Sequence, residues 1–226
     1  MLKWLTRLLA GLCLTIITTT TFASPQNPQV NVDYQMLAVP QDANVGKKVE
    51  VIEFFGYFCN HCYALDTPIT NWARKNKNKV VFRRVHVKFN EAMTMQQRMF
   101  YTLSAMGELT NSMHHKIFQA MQEARYPFKT DVQVFRWIED NGIDRQKFIE
   151  MFNSPYVNAL CQQGSAFLDT YKVDGVPMIV IDGRYVTSLA IVSEGNKADM
   201  SETTAINSTL SVLDKLVNRT WKARNH

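Results

Sequence analysis

The hydrophobic and polar positions of this chain form blocks that predict strands first, then helices, and then strands again. KVEVIEFF (residues 48–55) is apolar on both alternating faces, as expected for a strand covered on both sides of a sheet. YALDTPITNWARKNKNK has helical spacing and a basic end, and VVFRRVHVKF (residues 80–89) predicts a second strand. A strand, a helix and a strand joined by short links predict a βαβ unit with a parallel strand pair.

The strand pattern disappears between about residues 91 and 171, where successive segments have helical spacing instead. We interpret these segments as a helical insertion. Residues that favour caps, or that tolerate a left-handed backbone, mark the expected helix ends. They are Asn111, Asp131 and Asp144 at the N-termini, and Gly107 and Gly142 at the C-termini.

The strand pattern returns in GVPMIVIDGRYVTS (residues 175–188), where Asp182-Gly183 separates two apolar runs and predicts a tight hairpin. An amphipathic helix is expected from about residue 202 to 218, and the polar segment 24–45 predicts an arm with a short strand near YQMLAV. The order βαβ, helical insertion, ββα resembles an α/β thioredoxin fold with an inserted helical domain. The expected boundaries are 1–23 for a signal peptide, 24–88 for the arm and first part of the thioredoxin-like domain, 89–165 for the insertion, and 166–226 for the second part with the C-terminal helix.

The beginning of the chain predicts export. Lys3 and Arg7 precede a short apolar stretch that ends in small residues at Ala23, the pattern of a cleaved secretory signal peptide. A signal anchor that stays attached is the alternative. Cleavage lowers the formal net charge from +5 to +3, and no dense Lys/Arg block is interleaved with aromatics, so nucleic acid binding is not implied.

Cleavage also leaves Cys59, Cys62 and Cys161, and an odd count means that at least one thiol is free or bonds elsewhere. A structural zinc site normally needs four ligands, and the lone Cys-x-x-Cys pair supplies two. A disulfide across so short a loop stabilises weakly. A Cys-x-x-Cys near a βαβ pattern therefore favours redox chemistry. Cys161 shares a helical face with apolar residues, which predicts a buried, inert thiol.

The cysteine pair lies where the first predicted strand ends and the following helix begins. Cys59 is expected at the helix N-terminus, where free N–H groups and the helix dipole favour a thiolate. Cys62, one turn inside, is expected to be covered and protonated. His61 either stabilises the Cys59 sulfur as a cation or donor, or is a surface histidine at a helix start. Glu53 is either a buried carboxylate that exchanges a proton with Cys62, or an exposed residue on an edge strand.

Two motifs closely resemble the DsbA family of bacterial periplasmic thiol oxidases. They are FFGYFCNHCY (residues 54–63), preceded by Glu53, and GVPMIVIDGRY (residues 175–185), with the helical insertion between them. The resemblance implies that Cys59 is the exposed nucleophile and Cys62 the resolving cysteine. It also implies that Glu53 is the buried acid.

The same resemblance assigns roles to residues whose sequence context leaves them open. His61 would stabilise the Cys59 thiolate, and Asp66 falls where the family often has an acidic residue. A proline before a strand either follows an ordinary trans peptide bond and marks the strand start, or follows a cis bond. The resemblance implies a cis bond before Pro177. Pro177 would face the disulfide, and Val176 would offer backbone hydrogen bonds to an extended substrate. Four residues near the site are candidates for a substrate groove or for core: Tyr57, Phe58, Tyr63 and Met178.

The implied protein is a monomeric periplasmic thiol:disulfide oxidoreductase that donates its disulfide to reduced, partly folded exported proteins. A DsbB-type membrane quinone reductase would reoxidise it, and no cofactor or metal beyond the redox-active disulfide is expected. Asn60 stands where the family usually has proline, which leaves the oxidising strength open. The alternatives are a reductase or isomerase on the same fold, a non-catalytic chaperone or binding module, and a structural zinc protein.

Overall fold

The computed structural model describes residues 27–196 and 199–225, so the predicted signal peptide at 1–23 lies outside the described residues. Across those ranges, no helix combines the length and apolar character that crossing a membrane requires. The described strands form one mixed sheet in the order β1–β5–β4–β2–β3. They are β1 (Gln35–Met36), β2 (Val49–Phe55), β3 (Val80–His86), β4 (Met178–Ile181) and β5 (Tyr185–Thr187).

The predicted parallel pair is confirmed: β2 and β3 run parallel, with Val49 opposite Val80 and Phe55 opposite His86. Every residue of β2 is buried, as its apolar character on both faces indicated. β4 pairs with β2 antiparallel, and β5 pairs with β4, which confirms the predicted hairpin. The predicted second strand was too long, because β3 ends at His86 rather than at residue 89.

Helices surround the sheet and form the insertion. A short 3-10 helix, Glu91–Met93, precedes the insertion helices. α6 continues past residue 165, so the expected boundary between insertion and second part falls inside one helix. The described helices are α1 (Asn60–Lys75), α2 (Thr94–Ala105), α3 (Asn111–Gln122), α4 (Asp131–Asp140), α5 (Arg145–Phe152), α6 (Pro155–Tyr171), α7 (Leu189–Gly195) and α8 (Glu202–Asn225).

Two of the predicted N-caps were wrong by one residue. The hydroxyls of Thr110 and Thr130 accept hydrogen bonds from backbone N–H groups three residues later and cap α3 and α4, so Asn111 and Asp131 are already helical. Asp144 does cap α5, as predicted. Gly107 and Gly142 follow the C-caps of α2 and α4 with φ of +74° and +80°, which confirms the predicted stops.

α7 was missed, since its seven residues are too few for helical periodicity to stand out. α8 begins where predicted but runs on to Asn225.

Three apolar clusters set the position of the cysteine pair. Val51 faces a cluster shared with α1 and α8, and Ile52 faces the opposite side of the sheet, as alternation along a strand requires. Phe55, Cys59 and Cys62 instead belong to the core of the helical insertion. The Cys-x-x-Cys segment therefore lies where the sheet domain meets the insertion.

The β4–β5 hairpin gives a stability prediction at Gly183. Its φ is +62°, and an added Cβ would lie 2.0 Å from the Gln41 carbonyl oxygen. Gly183→Ala is therefore expected to lower the free energy of unfolding by about 3 kcal/mol in urea titrations. Gly46→Ala is the matched control, because Gly46 has φ +63° with nothing within 4 Å of the added Cβ, and about 1 kcal/mol is expected there. Equal losses in the two variants would contradict the role of the Gln41 contact.

Candidate active site

Cys59 occupies the N-cap position of α1, with extended backbone angles, because the segment from β2 turns there into the helix. The Cys62 backbone N–H donates to Cys59 Sγ at 3.1 Å. A hydrogen bond from the Cys62 side chain lowers the pKa of Cys59, as do backbone N–H groups and the charge of His61, against burial, which raises it. The predicted setting for a thiolate at a helix N-terminus is therefore present.

The two cysteines differ in exposure and in pKa. Cys59 keeps 8% of its surface exposed and Cys62 none, so the nucleophile is more covered than the resemblance implied. One reason is the loop before β4, since the Val176 carbonyl oxygen lies 3.5 Å from Cys59 Sγ. Burial raises the pKa of Cys62 well above its usual value, with contributions from the Cys59 sulfur and from Glu53. Cys62 is a buried thiol, as predicted.

The sequence left open whether His61 is a surface histidine or stabilises the Cys59 sulfur, and its position fits both alternatives. Its side chain is 58% exposed, and its Nδ1 lies 2.6 Å from Glu202 Oε1 at the start of α8. It nevertheless stands close enough to Cys59 for its charge to favour the thiolate. Glu202 was not identified from the sequence, because 141 residues separate it from His61 and no motif links them.

The Val176–Pro177 peptide bond is cis. The Val176 carbonyl lies beside Cys59. A cavity of about 780 Å³ opens next to this loop. Apolar side chains of Met178, Leu189 and Ile191 line it, together with His61. The arrangement offers an apolar groove and a backbone carbonyl within reach of the reactive sulfur.

The four aromatic and methionine candidates differ in burial. Met178 lines the cavity, and Phe58 and Tyr63 are half-buried. Tyr57 is fully buried, and its hydroxyl lies 2.8 Å from His114 Nδ1, which decides for core over groove at this residue. The reason is that Tyr57 follows β2 into the core of the insertion.

Glu53 is buried, with 1% of its surface exposed, which decides against an exposed position on an edge strand. Burial raises its pKa, against the charge and hydrogen bond of Arg84, which lower it. Arg84 Nε donates to Glu53 Oε2 at 2.9 Å. The parallel register places Glu53 directly opposite Arg84, so this partner follows from pairing β2 with β3.

Arg84 also serves a second buried carboxylate. Its second guanidinium nitrogen donates to Asp66 Oδ1 at 3.1 Å and to the Thr70 hydroxyl at 2.8 Å. Asp66, 3% exposed, lies 2.8 Å through Oδ2 from His115 Nδ1, and 3.5 Å through Oδ1 from His114 Nε2. A network of charged and polar groups therefore runs from Glu53 to α3.

Cys161 is half-buried on α6 and packs against the core of the insertion, so it is less covered than the predicted buried thiol. Burial raises the pKa of this thiol, which keeps it protonated and unreactive near neutral pH. Among the described residues, no group of three or more His, Cys, Asp or Glu side chains is placed to hold a metal ion.

The profile of the DSBA-like thioredoxin domain matches residues 50–200 of this chain. The chain belongs to the DsbA family. It is 33% identical over 198 residues to thiol:disulfide interchange protein DsbA of Burkholderia cepacia, covering 87% of this chain and 88% of that one. Against the protein of that name from Bordetella parapertussis, identity is 33% with 81% and 86% covered. The crystal structure of Pseudomonas aeruginosa DsbA matches with TM-score 0.78 at 25% identity, covering 89% of this chain and 99% of that one.

The protein is a thiol:disulfide oxidoreductase with the DsbA form of the thioredoxin fold, as the sequence motifs predicted. Asn60, which replaces the usual proline between the cysteines, is the exposed first residue of α1. The first helical position accepts either residue, since its N–H has no partner within the helix. Asn60 is therefore compatible with a helix that starts directly after Cys59.

Proposed function

We propose that this member of the DsbA family oxidises protein thiols by donating its Cys59–Cys62 disulfide to reduced, partly folded exported proteins. The observation that carries the proposal is the Cys62 N–H directed at Cys59 Sγ at the start of α1. Whatever stabilises the Cys59 thiolate stabilises the reduced enzyme, and it thereby makes the disulfide a stronger oxidant.

The donation consists of two exchanges. A substrate thiolate attacks Cys59 Sγ, the bond to Cys62 breaks, and Cys62 leaves as a thiolate that takes up a proton. A second substrate thiolate then attacks the substrate sulfur of this mixed disulfide, and Cys59 leaves as a thiolate. Two electrons pass to the enzyme and one disulfide forms in the substrate.

In this proposal the substrate binds in the groove beside the Val176–Pro177 loop. An extended segment bearing the reactive cysteine would donate its backbone N–H to the Val176 carbonyl, while apolar side chains enter the cavity lined by Met178. This mode suits unfolded chains, because backbone groups carry the hydrogen bonds and sequence matters little.

Reoxidation reverses the roles of the two cysteines. The Cys59 thiolate attacks a disulfide of a DsbB-type membrane quinone reductase, and the Cys62 thiol then displaces that partner. Cys62 must lose its proton first, and the buried Glu53 carboxylate is its acceptor in this proposal. A cleaved signal peptide would deliver the protein to the periplasm as a monomer, and the disulfide itself is its only redox group.

The test is the redox equilibrium of the Cys59/Cys62 pair against glutathione buffers, read by acid trapping and thiol alkylation. In the mature chain without Cys13, a Cys161→Ala background leaves two thiols to count. The proposal expects a potential well above that of the glutathione couple, so that the dithiol form persists in mildly oxidising buffer. A potential near that of thioredoxin, about −270 mV, would exclude an oxidase and indicate a reductase on the same fold.

A further inference from the structure

The charge balance beneath the active site is uneven. Glu53 and Asp66 are two carboxylates whose side chains are 2% and 4% exposed, and both accept hydrogen bonds from one guanidinium, that of Arg84. Two buried anions and one cation leave one negative charge without a counter-ion, which is costly in a low-dielectric interior. Either one carboxylate takes up a proton or a further cation completes the network.

The candidate for that cation is on α3. His114 is buried, and burial lowers its pKa well below the usual value, as do the neighbouring charges of Arg84, His86 and His115. It therefore stays neutral. His115 is different, because its side chain is 36% exposed while its Nδ1 lies 2.8 Å from Asp66 Oδ2. Histidine is the side chain whose charge changes most readily near neutral pH.

We propose that His115 is a positioning residue whose charge sets the protonation state of Glu53 through the shared guanidinium of Arg84. The inference rests on the proposed function, in which Glu53 exchanges a proton with Cys62. When His115 is charged, it neutralises Asp66 and leaves Arg84 to hold Glu53 as a carboxylate. When His115 is neutral, both carboxylates depend on Arg84 and Glu53 takes up a proton from solvent.

The protonation state of Glu53 has opposite effects on disulfide donation and on reoxidation. Protonated Glu53 can give its proton to the departing Cys62 thiolate during donation. Ionised Glu53 can accept the Cys62 proton during reoxidation. A charged His115 therefore favours closure of the Cys59–Cys62 disulfide, and a neutral His115 favours its opening by substrate.

The charge states of the other titratable groups around His115 and Glu53 also enter the argument. The Tyr63 ring lies 5.6 Å from that of His115, centroid to centroid, and the Tyr63 hydroxyl donates to Glu123. That hydrogen bond raises the pKa of Tyr63 to about 12, so this phenol stays neutral. Burial lowers the pKa of His86 to about 3. The charged or titratable groups facing Glu53 are Arg84, Asp66, Tyr57 and Cys62.

The experiment compares His115→Gln, which removes the charge, with His115→Arg, which makes it permanent. The ionisation midpoint of Glu53 is read directly from its carboxyl carbon by NMR of glutamate-labelled protein in the reduced state. We expect His115→Gln to raise the midpoint by about one pH unit. We expect His115→Arg to keep the midpoint at or below the wild-type value.

A kinetic measurement then connects the midpoint to chemistry. The Cys59–glutathione mixed disulfide is trapped in acid, and glutathione release by Cys62 is followed after a jump to higher pH. Below the Glu53 midpoint, release is expected to be up to about tenfold slower in His115→Gln than in the wild type. Near-UV circular dichroism checks that both variants keep the native packing.

The inference is overturned if the midpoints of both variants equal that of the wild type, or if both move in one direction. In the first outcome the charge of His115 does not reach Glu53, and in the second its shape matters rather than its charge. If His115→Gln failed to fold, His115→Asn would serve as the neutral variant, and a midpoint equal to that of the wild type would overturn the inference. The glutathione equilibrium tests the oxidase function separately, since the NMR midpoint does not depend on reaction direction.

Discussion

Cys59→Ser is expected to reduce the oxidation of a reduced, unfolded protein to the uncatalysed rate. Among the cysteines that the structure describes, only Cys59 combines the N-cap position of α1, a lowered pKa and residual exposure beside the Val176 carbonyl. Cys62 is completely buried, so it cannot replace Cys59 as the attacking or attacked sulfur. The assay follows regained activity of a reduced disulfide-containing enzyme, with oxidised glutathione as the terminal oxidant.

Cys62→Ser is the informative partner variant. Its Cys59 still attacks disulfides, but no second thiol resolves the product, so a mixed disulfide should accumulate and appear as an adduct on non-reducing gels. Cys161→Ser is the control, and it should retain wild-type turnover because its half-buried thiol has a raised pKa. Adducts formed through Cys62 in the Cys59→Ser variant would reverse the assigned roles.

The sequence predicts this site well where the signals are local. The position of Cys59 follows from a strand pattern that ends just before a helical one. The Asp182-Gly183 hairpin follows from two residues, both of which adopt positive φ in the structure. These features depend on a few neighbouring residues whose backbone preferences are strong.

The missed partners come from distant segments. Arg84 lies 31 residues from Glu53, and only the pairing of β2 with β3 brings them together. Once Val49 is aligned with Val80, that same offset of 31 residues identifies Arg84, so register was the signal that could have found it. His115 and Glu202 had no such signal, because the packing of α3 and α8 against α1 sets their positions.

The burial of the network leads to the second prediction, which concerns Arg84→Met. This substitution keeps much of the side-chain volume but leaves Glu53 and Asp66 without their shared cation, and the Arg84 side chain is itself only 11% exposed. Removing one partner of a buried ion pair typically costs about 3–5 kcal/mol. We expect a loss of that size in the free energy of unfolding at pH 7, measured by urea titration.

The pH dependence of that loss distinguishes an unpaired charge from a packing defect. Burial raises the pKa of Glu53 and Arg84 opposes it, so the variant must have a still higher Glu53 pKa in the folded state. A carboxyl whose folded pKa is raised contributes stability that is present below its unfolded value, about 4.3, and is lost as the pH rises through the folded pKa. The gap between wild type and variant should therefore be smallest near pH 4 and widen toward neutral pH.

Arg136→Met provides the matched control for the same substitution. The Arg136 side chain is 79% exposed and its nitrogen lies 4.0 Å from Asp140, so a loss below about 1 kcal/mol is expected at every pH. Adding Glu53→Gln to Arg84→Met should restore part of the stability at pH 7, because it removes the buried Glu53 anion that Arg84 no longer compensates. A loss in Arg84→Met that is large but independent of pH would instead assign the role of Arg84 to packing between β3 and α1.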